Sequence, residues 1–94
     1  MNVEYSKAAI RQLAKLGDYV ESLNTKNAGE RFLKKFMAEI ESFAVNHAQF
    51  ALCNNMALKK RGWSCVTIDK WIIAFTLDDK IFSVKLIVLG SALK

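Results

Sequence analysis

The densest group of residues able to bind a phosphate is the run Lys59-Lys60-Arg61, which lies beside Trp63. Adjacent cations can neutralise phosphate oxygens, and a tryptophan next to them offers a ring on which a nucleic-acid base can stack. These four residues therefore form a candidate target-binding or phosphate-binding site. The pattern also fits the exposed start of a strand whose charges discourage edge-to-edge pairing, and the sequence leaves both interpretations open.

His47 is the only histidine of the chain, and histidine is the side chain best suited to acid–base catalysis near neutral pH. It is expected at the end of a helix, and no Asp, Cys or Ser has a spacing that suggests a catalytic partner for it. Cys53 and Cys65 are too few for a disulfide scaffold and lack the spacing of metal ligands, so we expect free, reduced thiols. Because zinc motifs and Gly-rich phosphate loops are missing as well, we expect no metal and no cofactor.

The chain changes its hydrophobic period once, near residue 50. Ser6 is expected to cap a first helix that follows a short strand at Val3 and Tyr5, and a second helix is expected to run to about Asn46 or His47. Gly17 lies inside the first helix, where it can let another backbone approach closely. The apolar stripe of the first helix is predicted to consist of Ile10, Leu13, Leu16, Val20 and Leu23.

After a connector at residues 48–56, alternation with period two predicts three strands. The first of them contains residues 64–68, the second runs from Trp71 to Leu77, and the third runs from Ile81 to Leu89. The element order is therefore β-α-α-β-β-β. We predict a single α+β domain over residues 1–94, with a helical hairpin packed on one face of an antiparallel sheet.

The two faces of the last strand are both apolar, which bears on possible partners. Its residues Phe82, Val84, Leu86 and Val88 are expected to face the helices. Contiguous apolar residues on the other face indicate a protein-binding surface, unless the face assignment is inverted or the sheet is strongly curved. That open face would present Ile81, Ser83, Lys85, Ile87 and Leu89.

The composition excludes several classes of protein. With 94 residues, 52% hydrophobic and 24% charged, the chain is neither disordered nor low in complexity. Its apolar runs are too short to span a bilayer, and it opens without a secretory signal, so we expect a cytoplasmic protein that does not bind membranes. The net charge is +5, and residues 48–94 carry seven Lys/Arg against three Asp/Glu. Such a balance favours an anionic partner, although it also serves solubility alone.

Short motifs follow one another along the chain: Val3-Glu4-Tyr5-Ser6, Ala8-Ala9, Leu13, Asp18-Tyr19-Val20, Asn27-Ala28, Ile72-Ile73-Ala74-Phe75, Asp78-Asp79-Lys80-Ile81 and Ile87-Val88-Leu89-Gly90-Ser91. This ordered set resembles the RelE/ParE superfamily of toxins from bacterial type II toxin–antitoxin modules, some of which stabilise plasmids. The resemblance covers nearly the whole chain. It implies a RelE/ParE-like fold and a cytosolic toxin that is neutralised in a hetero-oligomer by a cognate acidic antitoxin, whose extended segment and helix wrap around it. The resemblance also implies that the antitoxin covers the open sheet face, so Ile81, Lys85, Ile87 and Leu89 are its predicted contacts.

The superfamily divides into two activities, and the sequence departs from both patterns. RelE-like members resemble ribosome-dependent mRNA endonucleases, but the Gly-Tyr-Arg of their second strand corresponds here to Gly62-Trp63-Ser64, and no Tyr, His or Arg follows Trp63. ParE-like members resemble inhibitors of DNA gyrase with a long helical hairpin and no catalytic pair. Their last strand often ends in a basic run, where this chain has Leu89-Gly90-Ser91.

We therefore predict a ParE-like toxin that binds and inhibits a topoisomerase such as DNA gyrase, with no residue assigned to catalysis. The alternative is a RelE-like, metal-independent endonuclease acting on mRNA at the ribosome. A third interpretation is an attenuated toxin homologue that retains only antitoxin binding. The candidate catalytic residues of the endonuclease would be Lys59, Lys60, Arg61, Lys85 and Lys94.

Overall fold

The computed structural model describes residues 2–46 and 51–92. His47 and Lys94, both named above as candidates, lie outside these residues. A short helix lies where the sequence predicts only a connector and the start of a strand. The elements in chain order are β1 (Asn2–Tyr5), α1 (Lys7–Leu23), α2 (Ala28–Asn46), α3 (Met56–Lys60), β2 (Ser64–Ile68), β3 (Trp71–Asp78), β4 (Ile81–Leu89) and a 3-10 turn (Gly90–Ala92).

The four strands form one sheet in the order β1-β4-β3-β2. β2, β3 and β4 pair antiparallel through tight turns, whereas β1 pairs parallel with β4, so the sheet is mixed. Only strands joined by a short turn must run antiparallel, and β1 is separated from β4 by most of the chain. The α+β fold and the order β-α-α-β-β-β are as the sequence predicts, with both long helices on one face of the sheet.

The helical hairpin is positioned at its start and at its crossing point. The Ser6 hydroxyl accepts a hydrogen bond from the Ala9 N–H at 3.0 Å and donates one to the carbonyl oxygen of Lys85 at 2.8 Å, which ties the start of α1 to β4. At the crossing, a Cβ added to Gly29 would lie 2.2 Å from the carbonyl oxygen of Gly17. The two backbones are thus in direct contact, as the position of Gly17 suggested.

The main core lies between the hairpin and the sheet. The rings of Phe75 and Phe82 stack with centroids 4.3 Å apart, and both are fully buried. The predicted stripe of α1 is correct in its middle, but its two ends, Ile10 and Leu23, are exposed, and near the start of the helix Ala9 is buried instead of Ile10. The buried residues of this core are Ala9, Leu13, Leu16, Phe36, Ile40, Ala44, Ile68, Ile73, Phe75, Phe82, Val84 and Ile87.

A bulge in β4 exchanges the two faces of that strand. Ala74 of β3 pairs with Leu86 while the adjacent Phe75 pairs with Val84, so Lys85 is an extra residue without its own cross-strand partner. An extra residue reverses the alternation of every side chain that follows it. The predicted face assignment therefore holds before Lys85 and is inverted after it.

Ile87 is the residue most affected by this inversion. It is only 3% exposed and packs in the main core, so the prediction that it faces outward is wrong. Leu86, expected in that core, instead packs in a small cluster on the opposite sheet face. Ile81 and Leu89 remain exposed at 36% and 37%, at the two ends of β4.

Candidate functional site

The basic run lies on α3 and not at the start of a strand. Asn55 caps this helix, because its Oδ1 accepts hydrogen bonds from the N–H groups of Ala57 at 3.0 Å and Leu58 at 3.3 Å. Lys59 and Lys60 occupy the last turn, where cations complement the negative end of the helix dipole. Arg61 is the C-cap, so the three cations are presented together at one end of a short helix.

Trp63 is less accessible than a stacking platform requires. Its ring is half-buried against a small cluster on the sheet face opposite the hairpin, which contains Cys53, Leu58 and Ala74. The guanidinium carbon of Arg61 lies 5.1 Å from the ring centroid, a cation–π distance. A base could therefore stack on this ring only by displacing Arg61.

The three cations of α3 are free to meet an anion. Lys59, Lys60 and Arg61 are all exposed. Within residues 2–46 and 51–92, the one ion pair joins Lys34 to Glu30, with Nζ and Oε1 3.9 Å apart. No carboxylate in the described part of the chain neutralises the cluster, so its charge is directed at solvent.

The two cysteines form a disulfide, which corrects the expectation of free thiols. The segment before α3 folds back along β2: the Cys53 N–H donates to the carbonyl oxygen of Trp63 at 3.0 Å, and Leu52 forms a bridge with Ser64. This places the two cysteine Cα atoms 4.8 Å apart, within the range that a disulfide spans. A separation of twelve residues in sequence does not reveal this pairing.

The candidate catalytic residues do not form a compact set in the described residues. Lys85 lies at the bulge in β4 and is half-buried. In the sheet, β3 lies between β4 and β2, and it therefore separates Lys85 from the start of β2, which follows α3. Residues 2–46 and 51–92 contain no group of three or more His, Cys, Asp or Glu arranged to hold a metal ion. In the same ranges, no helix combines the length and the apolar character needed to cross a membrane.

A second candidate surface is an apolar groove between α1 and the sheet, at the start of β3 and the end of β4. It has a volume of about 340 Å³. Tyr19 is 58% exposed beside it, although tyrosine is a residue that helices usually bury in part. No role of this tyrosine is predicted from the sequence, where its position among the polar residues of α1 is the one indication that it lies at the surface. The groove is lined by Gln12, Lys15, Leu16, Tyr19, Trp71, Ile87, Val88 and Leu89.

One edge of β4 is open beside this groove. β1 ends at Tyr5, which pairs with Val84, so β1 does not cover the second half of β4. Here the N–H of Ile87 donates to Oε1 of Gln12 at 2.8 Å, which shows that its backbone points away from β3. Because backbone direction alternates along a strand, the N–H and C=O of Leu89 point to the same open edge.

Tyr5 is the one residue of the described chain whose pKa is distinctly shifted. Burial, and secondarily the charge of Glu41, raises the pKa of Tyr5 to about 12. Its hydroxyl oxygen is buried and has no hydrogen-bond partner among the described residues. This group lies in the core between β1 and α2 and belongs to neither candidate surface.

Comparisons with known proteins give one match to a family model and one match in fold. The family model described as the ParE toxin of the type II toxin–antitoxin system parDE matches residues 3–91. Among solved structures, the chain is similar to one from the chromosomal ParDE toxin–antitoxin system of P. aeruginosa, with a TM-score of 0.73 and 12% identity over 95% of each chain. At that identity the likeness establishes a shared fold. No match was found among curated protein sequences.

Proposed function

Since this chain belongs to the ParE toxin family of type II toxin–antitoxin systems, we propose that it inhibits a topoisomerase such as DNA gyrase by binding its complex with DNA. The observation that carries this proposal is the exposed cation cluster at the end of α3, formed by Lys59, Lys60 and Arg61, which no carboxylate among the described residues neutralises. DNA is the phosphate-rich part of a topoisomerase complex, and adjacent cations bind its backbone without needing a particular base sequence. The toxin would act in the cytoplasm.

Exposure of the cluster favours binding over phosphodiester cleavage. An endonuclease must activate the attacking hydroxyl and protonate the leaving oxygen. A lysine ammonium group is a poor base unless it is desolvated, and both lysines of α3 face solvent. The interpretation as an mRNA endonuclease thus has less support, and it is tested below by looking for cleavage of ribosome-bound mRNA.

The test compares two triple-alanine variants of equal charge in a supercoiling assay with purified gyrase. One variant replaces Lys59, Lys60 and Arg61, and the control replaces three exposed cations of the helical hairpin, Lys7, Arg11 and Lys26. Each lowers the formal net charge from +5 to +2, which is three charges fewer. Only the α3 variant should lose inhibition, and its log–log dependence of DNA affinity on salt should become shallower by roughly 2.7 for three lost phosphate contacts.

Two results would contradict this proposal. Equal inhibition by both variants would show that the cluster is not the target-binding site. Cleavage of ribosome-bound mRNA by the wild-type toxin, with gyrase activity unaffected, would replace the proposal with the endonuclease.

We further propose that an acidic antitoxin docks in the groove between α1 and β4, with an extended segment along the open edge of β4. The free edge around Leu89 offers backbone hydrogen bonds to such a segment, and Tyr19 and Trp71 offer apolar contacts beside it. Lys15 at the rim suits an acidic partner. Of the antitoxin contacts predicted from the sequence, Leu89 lines this groove and Ile87 forms part of its buried wall. Ile81 and Lys85 do not line it, and Ile81 lies at the opposite end of β4 beside β1.

The antitoxin site is tested by matched leucine substitutions. Leu89→Glu places a negative charge in the groove, whereas Leu23→Glu places the same charge on a more exposed leucine of α1 that does not line it. We expect Leu89→Glu to weaken the antitoxin complex at least tenfold in calorimetry and Leu23→Glu to leave it unchanged. The reverse ranking, or equal effects, would move the antitoxin to another surface.

A further inference from the structure

The segment that carries the cation cluster is attached to the body of the protein separately from the main core. The main core contains no residue between 51 and 63. This segment instead packs through Cys53 and Leu58 in a small cluster with Ala74, on the sheet face opposite the hairpin. Its attachment therefore depends on a few contacts, of which the bond from Cys53 to Cys65 is the only covalent one.

The two cysteines of the disulfide differ in their access to solvent. Cys53 is 1% exposed, whereas Cys65 is partly exposed and lines an open groove of about 230 Å³. The groove therefore gives a small thiol reductant access to the Cys65 side of the disulfide, which would make Cys53 the leaving group. The groove is bordered by Ala51, Leu52, Asn54, Asn55, Cys65, Thr67 and Ile72.

We propose that the Cys53–Cys65 disulfide is a redox latch that holds α3 and its cation cluster in the binding position and is opened by a dithiol reductant. Disulfides in reducing compartments are usually redox-sensing or transient, since cellular dithiols keep most thiols reduced. The part of this inference that concerns activity rests on the proposed function of the cluster. The latch itself is a property of the chain and can be measured without a target.

The exchange is balanced as a transfer of two electrons. A thiolate of the reductant attacks Sγ of Cys65, and the Cys53 thiolate leaves and takes a proton from water. The second thiol of the reductant loses its proton to water and attacks the reductant's own sulfur in the mixed disulfide. This releases the Cys65 thiolate, which takes up a proton from water. The reductant ends as a disulfide, and the protein ends with two thiols.

Opening the latch should change local order and leave the fold in place. The main core and its stacked phenylalanines do not depend on the disulfide. In contrast, α3 has only five residues, and helices of that length are not stable without tertiary contacts. Cations on a loosened segment must be ordered again on binding, which we expect to weaken target inhibition by about tenfold.

The first experiment measures the latch alone. The native protein is equilibrated with mixtures of reduced and oxidised dithiothreitol and alkylated with N-ethylmaleimide, and its adducts are counted by mass spectrometry. Amide hydrogen exchange is measured in parallel on the oxidised and the reduced protein. We expect a single step to two adducts without denaturant, and faster exchange at residues 54–62 with no change in β3 or β4. A disulfide that is reduced only after unfolding, or exchange that is the same in both forms, would overturn the latch.

The second experiment measures its consequence. The oxidised protein, the reduced protein and a Cys53→Ala/Cys65→Ala double variant are compared in the supercoiling assay. We expect the reduced protein and the double variant to inhibit about tenfold more weakly than the oxidised protein, and only the double variant to ignore the redox buffer. Equal inhibition by all three would overturn the regulatory role. An oxidised protein that does not inhibit gyrase would instead refute the proposed target, and the exchange data would still decide the latch.

Discussion

The contact between Gly17 and Gly29 predicts opposite outcomes for two substitutions that look alike in the sequence. Replacing a glycine by alanine inside a helix stabilises it by up to about 1 kcal/mol, because alanine loses less backbone entropy. At Gly17 the added Cβ would lie 2.8 Å from Cδ1 of Leu33, the far end of a flexible side chain. At Gly29 it would lie 2.2 Å from a backbone carbonyl oxygen, which cannot rotate away.

The magnitudes decide the sign of each effect. At Gly29 the two helices must separate by about 1 Å for an ordinary contact, and overpacking of this kind costs about 1–3 kcal/mol. The cost of overpacking exceeds the stabilisation that alanine gives a helix. That stabilisation is also smaller at Gly29, because Gly29 lies in the first turn of α2. We expect Gly29→Ala to lower the free energy of unfolding by about 2 kcal/mol and Gly17→Ala to change it by less than about 1 kcal/mol.

Urea unfolding followed by circular dichroism measures both values. A small domain loses roughly 4–8 °C of melting temperature per kcal/mol, so Gly29→Ala should also melt roughly 8–16 °C lower. A Gly29→Ala protein as stable as the wild type would refute the reasoning, because it would mean that the hairpin does not bring these backbones into contact. A large loss at Gly17 alone would place the rigid contact at Leu33 instead.

Three further predictions test the core, the shifted tyrosine and the cap of α3. Ile87→Glu should prevent folding because it buries an unpaired charge, whereas Ile81→Glu should fold normally, as judged by circular dichroism. The pKa of Tyr5 is raised from its ordinary 10 to about 12, so Tyr5 ionises at lower pH in the unfolded state than in the folded one. The free energy of unfolding of the wild type, measured in urea, should therefore fall between pH 10 and 12 more steeply than that of Tyr5→Phe. Parallel curves for the two proteins would contradict this. Asn55→Ala should lower the local stability of α3 by about 1 kcal/mol, because it removes the side chain that caps this helix. We expect faster amide exchange in α3 and an unchanged free energy of global unfolding. A lower free energy of global unfolding would show that α3 unfolds together with the main core.

Much of the architecture could be predicted from the sequence because the information is local. The period of apolar residues predicts both long helices and the three-stranded meander, and Ser6 predicts the start of α1. The charge pattern predicts the cation cluster, and the ordered motifs indicate the family that the comparison with residues 3–91 establishes. Each of these signals lies within a few residues or follows from composition.

The remaining features depend on residues far apart in sequence, so only the tertiary structure decides them. Both faces of β4 are apolar, and the sequence pattern therefore could not reveal that the bulge at Lys85 buries Ile87 and turns Leu86 to the other side. The disulfide arises because the segment at Cys53 folds back along β2, and the groove beside Leu89 arises because α1 passes the uncovered end of β4. The sequence determines which residues are apolar or charged, whereas the pairing register of the strands determines which of them reach the surface.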